Sequence, residues 1–167
     1  MNTLAKLLLG RFSRRYDYDV RYLYALAQQS PGAFRRYLLI APLAQYRKAA
    51  PASAYYAAKM VATRRADCGP CLNLVVQMAR EDHVDEPTLQ AILNEELNLL
   101  DDDTRLAVRY AGAVIDQAEL GLLEIRQIMI DRWGQAAAAE MSLAVTFGTF
   151  FPMLKRGLGH AQSCQTV

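Results

Sequence analysis

Two cysteines separated by two residues, in the run Cys68-Gly69-Pro70-Cys71, carry the clearest chemistry of this chain. Thiols at that spacing close into a disulfide with little backbone movement. A helix beginning at the second residue of the motif directs amide N–H groups and a positive dipole end at a sulfur, which lowers a thiol pKa. Arg64 and Arg65 lie one turn upstream and would add positive potential. These are the requirements of a pair that cycles between dithiol and disulfide. The alternative is two inert buried thiols, since free cysteine is among the most buried residue types. A zinc site would need further ligands, and His83, His160 and Cys164 show no second-half spacing, so no bound metal or cofactor is expected.

The elements that position such a pair follow from composition. The chain has 167 residues, 53% of them hydrophobic and 22% charged, as one globular domain of residues 1–167 would have. Its 26 Ala and 23 Leu outweigh 9 Val and 6 Ile, which predicts an all-α fold. Capping and proline signals divide it into a single-domain bundle of about eight helices. Asp19 to Gln29 is one, and Pro31, after Ser30, opens a second that runs to about Leu43. Pro51-Ala52-Ser53 opens a third through about Arg65, and an apolar stretch continues from the cysteine motif to Ala79. Asp85-Glu86-Pro87 starts a helix with Leu89, Ile92, Leu93, Leu97 and Leu100 on one face, at helical spacing.

Asp101-Asp102-Asp103 places carboxylates at the positive end of the next helix, whose buried face is Ala107, Tyr110, Ala111, Val114 and Ala118. Gly121 is expected to interrupt, followed by a stripe of Leu122, Ile125, Met129 and Trp133. Ala136 to Leu154 is apolar nearly all round, as a central helix should be. Phe147, Phe150 and Phe151 read as core or subunit interface. His83 reads as surface, and Cys164 as a bystander in a mobile tail at 160–167.

A net charge of +2 hides a gradient: residues 1–50 carry nine basic and two acidic groups, and residues 51–130 carry seven and thirteen. No nucleic-acid motif accompanies the basic third, so a match to the acidic middle is expected, with no nucleic-acid partner. Residues 1–15 form a candidate basic N-terminal arm able to touch a membrane surface. The uncharged run Met141 to Leu154 is too short to span a bilayer, so a buried core helix, no stable membrane insertion and a cytoplasmic location are expected.

The same four letters occur in thioredoxin, but there they follow a strand. Here Tyr55 to Arg65 reads as helix. Residues Ala66 to Leu93, ADCGPCLNLVVQMAREDHVDEPTLQAIL, resemble instead the core of the carboxymuconolactone decarboxylase family, in its alkylhydroperoxidase D-like branch. Asp103 to Gly159 is similar too, with DTRLAVRYAGAV, a short spacer helix, and a long apolar helix ending FFPMLKRGLG. The resemblance implies an all-helical homo-oligomer, a trimer or hexamer, that reduces hydroperoxides through its cysteines. Cys71 would attack the peroxide, Cys68 would resolve the sulfenic acid, and an external dithiol would return the electrons. The family's usual glutamate on the preceding helix is Tyr56 here, and its histidine one turn beyond the second cysteine is Val75. A histidine between the cysteines in some members is Pro70. Tyr56 is therefore a candidate supporting residue beside Arg64 and Arg65, although a phenol is a poor base at neutral pH. A non-catalytic or redox-sensing oligomer with a vestigial C-x-x-C is the other reading.

Overall fold

Small side chains decide the centre of the molecule. In a computed structural model that describes residues 3–160, the chain folds into eight α-helices, with no strand among the described residues. They are α1 (Thr3–Tyr16), α2 (Arg21–Gln29), α3 (Pro31–Ile40), α4 (Ala52–Arg65), α5 (Gly69–Glu81), α6 (Glu86–Leu93), α7 (Asp102–Ile115) and α8 (Glu119–Gly157). Two 3-10 turns, Ala41–Gln45 and Leu97–Leu99, complete the course. Cys164 and most of the expected tail lie outside the described residues.

The hub is α4. Ala54, Ala57, Ala58 and Ala62 are wholly buried there, and α5, α6, α7 and α8 all pack against it. The central helix expected at Ala136–Leu154 is thus displaced to a flank. The second half of α8 buries Ala137, Ala138, Met141, Ala144 and Val145, yet turns Ala136, Ala139, Ser142 and Thr146 to the outside. Alanines and threonines blur an amphipathic face, so that segment looks apolar all round when only one side is covered. By length and composition, Gly121–Gly157 is long and apolar enough to cross a membrane, and half of its most apolar window is buried inside the fold.

Helix boundaries follow local chemistry. Asp85 caps α6 by accepting from the Thr88 amide at 2.9 Å, and Asp101 caps α7 by accepting from the Thr104 amide at 2.8 Å. The leucine stripe does not run on to Leu97 and Leu100 in one helix. α6 ends at Leu93, Glu95 takes a left-handed φ of 60°, and the Arg64 guanidinium donates to the Ile92 and Leu93 carbonyls. Ala118 is exposed beyond the end of α7, and α8 runs through Gly121, breaking instead at Gly134 with φ 86°. Leu122, Ile125, Met129 and Trp133 do turn inward, Met129 completely.

The charge gradient closes within the chain. Arg15 pairs with Glu81 at 2.8 Å and Arg47 with Asp82 at 2.7 Å, tying the basic third to the end of α5. Glu140 on α8 accepts the backbone N–H groups of Lys48, Ala49 and Ala50 at 2.8–3.2 Å. Burial pushes its pKa up, but those amides outweigh it and leave the carboxyl below its ordinary value.

α4 and α8 touch at Gly148. A Cβ built there would lie 2.6 Å from Ala62 Cβ and 2.9 Å from the Lys59 carbonyl oxygen. Pro152 has no N–H to return to the Gly148 carbonyl, and the Thr63 hydroxyl on α4 reaches that oxygen at 3.1 Å. Gly148→Ala gains roughly 1 kcal/mol in helix propensity. The obstruction includes backbone, however, so a net loss of about 2 kcal/mol is expected in urea unfolding, with the midpoint lowered.

Candidate functional site

The cysteine motif lies at the junction of α4 and α5. Cys68 is the N-cap of α5, in extended backbone at φ −136°, and Gly69 and Pro70 form the first helical positions. Proline is at no disadvantage there, since its missing N–H would have had no helical partner. Cys71 follows in the same first turn. The Cα atoms of Cys68 and Cys71 are 5.2 Å apart and their sulfurs are at disulfide-bonding distance, as the spacing predicts. Both side chains are buried.

Cys71 differs from Cys68 in what it faces. Its side chain forms part of the wall of an apolar cavity of about 470 Å³. α4, α5 and α8 supply one side of that cavity through Lys59, Thr63, Leu74, Val75, Phe147 and Gly148. α1, α2, α3 and the turn Ala41–Gln45 cover it with Leu9, Phe12, Tyr22, Tyr37 and Ala44, among others. Phe147 and Phe151, expected only in core or interface, line this space. Val75 does as well, so the position where the resembled family carries histidine is here an apolar wall.

The polar group at the Cys71 sulfur is one the sequence reading missed. Tyr18, in the short link between α1 and α2, places its hydroxyl 3.4 Å from Cys71 Sγ. Burial pushes its pKa up to about 12, so it is a hydrogen-bond donor and not a base at neutral pH. The Tyr18 ring meets that of Tyr22 edge-on, with centroids 6.4 Å apart, and burial raises the Tyr37 phenol likewise to about 12. The Lys155 ammonium sits 5.0 Å from the Tyr18 ring centroid and 5.9 Å from that of Tyr22, with no hydrogen-bond partner. Burial lowers the Lys155 pKa, while the Asp19 carboxylate works in the opposite direction. A tyrosine in a polar-apolar link has no local sequence signal that would mark it; only its distance in space does.

Arg64 and Arg65, two of the expected supporting residues, are engaged by carboxylates. Arg64 forms an ion pair with Glu95 at 2.9 Å, besides closing the end of α6. Arg65 pairs with Asp116 beyond the end of α7, at 3.2 Å. Tyr56 is buried against Tyr55, with ring centroids 5.4 Å apart, and burial pushes its pKa to about 12. His83 is exposed, as expected, in a turn with φ 64°. Among the described residues, no group of three or more His, Cys, Asp and Glu side chains is placed to hold a metal ion.

Lys59 is the second unforeseen member. It is 4% exposed, lines the cavity from α4, and donates to the Ala44 carbonyl oxygen. Burial alone lowers its pKa to about 8. No family model, curated protein or solved structure matches the chain.

Two measurements follow. In the reduced protein, Tyr18→Phe removes a donor to the Cys71 thiolate and should slow its alkylation by iodoacetamide roughly threefold to tenfold at neutral pH. Lys59 has a folded pKa below its ordinary 10.5, so between about pH 8 and that value the unfolded chain binds more protons. Stability should therefore rise with pH across that window, by on the order of 2–3 kcal/mol relative to Lys59→Met. The difference between the two pH profiles isolates this contribution from the buried tyrosines, whose raised pKa values act oppositely above pH 10.

Proposed function

We propose that this chain is a thiol-dependent hydroperoxide reductase, with Cys71 as the attacking thiol and Cys68 as the resolving one. One observation carries the reading: the two sulfurs are within bonding distance at the start of α5, and Cys71 faces an apolar cavity. The cavity suits the organic part of an alkyl hydroperoxide. The resemblance to the alkylhydroperoxidase D-like branch supports the same chemistry.

The reaction balances as follows. Cys71 thiolate attacks the terminal oxygen of the peroxide, the O–O bond breaks, and the alkoxide leaves and takes a proton to become an alcohol. The Tyr18 hydroxyl, at 3.4 Å from the sulfur, is placed to give that proton. Cys68 thiolate then attacks the sulfenic sulfur, forming the disulfide and releasing hydroxide, which is protonated to water. An external dithiol donates two electrons and two protons to reopen the bond. Such a donor is at hand in a reducing compartment, which fits a cytoplasmic location.

A redox-sensing role without turnover is favoured by one feature: the hydrogen-bond partner of Cys71 is a phenol, and neither carboxylate nor imidazole. Peroxide consumption separates the two. With an organic hydroperoxide and excess dithiol, the wild type should turn over many times and Cys71→Ser should fall to the uncatalysed rate. Without dithiol, Cys68→Ser should consume one equivalent of peroxide and stop at a sulfenic acid trappable by dimedone. A wild type that stops after one equivalent of peroxide, or a Cys71→Ser protein as fast as wild type, would overturn the reductase reading.

A further inference from the structure

The cavity contains a charge that nothing in the fold neutralises. Lys59 lines it from α4; one of the three N–H bonds of its ammonium goes to the Ala44 carbonyl, and the Tyr55 ring centroid lies 5.5 Å from the nitrogen. Among the described residues, no carboxylate lies within ion-pair distance of Lys59 or of Lys155, which stands behind the Tyr18 and Tyr22 rings. A buried cation without a counter-ion is destabilising, and an anionic ligand placed against it would relieve that cost. Around it the walls are hydrocarbon, from Leu9, Leu74, Val75, Phe147 and Phe151. The volume of about 470 Å³ lies within the ~300–1,000 Å³ range of small-molecule sites.

From this geometry we infer that the cavity binds an unbranched apolar monocarboxylate, a fatty acid, with its carboxylate on the Lys59 ammonium and its chain along the Phe147 and Phe151 walls. A single negative charge matches the one cation on the lining, and the remaining N–H bonds are free to meet two carboxylate oxygens. Leu8 and Leu38 line the cavity and are also exposed, at 55% and 38%, which places an apolar rim where a hydrocarbon chain can enter. The chain of such a ligand passes Cys71. Binding itself does not depend on thiol chemistry, because a saturated fatty acid has no O–O bond to reduce.

Isothermal titration of the full chain, with its disulfide closed, tests this with dodecanoate and with dodecanol. Wild type should bind the acid roughly tenfold or more tightly than the alcohol, as a charge-assisted contact requires. Lys59→Met, checked for retained helicity by circular dichroism, should bind the two alike. Equal affinity of acid and alcohol for wild type, binding of neither, or an acid preference unchanged in Lys59→Met would overturn the inference. The wild-type comparison decides the matter even if the variant fails to fold. Peroxide turnover is unaffected by either result, so the two readings fail separately.

Discussion

The close crossing of α4 and α8 sets the geometry of everything around it. Ala62 faces Gly148 at a spacing with no room for another carbon. Bringing the two backbones this near lets Thr63 serve the carbonyl that Pro152 leaves without a partner. It also fixes the floor from which Lys59 rises. Larger residues at the crossing would separate the helices, and the cavity beside them would change shape with them. The apolar volume lies directly beside this contact, with Lys59, Thr63 and Gly148 all in its lining.

The covering elements complete the site in a way the core does not. α2 and α3 bring the Tyr22 and Tyr37 phenols, α1 brings Phe12, and the link between α1 and α2 brings Tyr18 to the sulfur. Cys71 thus has a helix terminus on one side and a neutral donor on the other, with the Lys155 charge behind that donor. In the proposed reaction this arrangement would stabilise a thiolate without a base in contact. It differs from a carboxylate–imidazole relay in one respect: the proton must leave to solvent or along hydroxyls.

Much of this fold was legible in the residues. The Ala and Leu excess, the Asp caps at Asp85 and Asp101, and the proline at the start of α3 all act over a few positions, so a local reading finds them. The cysteine pair was legible for the same reason. What local reading missed depends on distance. Arg64 and Arg65 lie near the motif in sequence, yet their side chains turn to the ends of α6 and α7, where carbonyls and carboxylates lacked partners. Lys59 sits in an alanine-rich helix whose burial is decided by the four helices packed against it. Tyr18 reaches a sulfur 53 residues away. The hub is not marked by hydrophobicity, which favours Ala136–Leu154; α4 takes that place through Ala54, Ala57, Ala58 and Ala62, which let neighbouring helices approach closely.

The Glu140 carboxylate ties the two halves of the molecule together in folding as well as in space. Its partners are three amides some ninety residues earlier, immediately before α4. Those N–H groups lie in a connection without helical partners of its own, so their register waits on the arrival of α8. Closing a loop of that length costs about 4 kcal/mol of chain entropy, which local helix formation cannot supply. The segment joining the covering helices to the core is therefore held by a long-range closure, and the cavity has all its walls only with Phe147, Gly148, Phe151 and Pro152 of the C-terminal half in place.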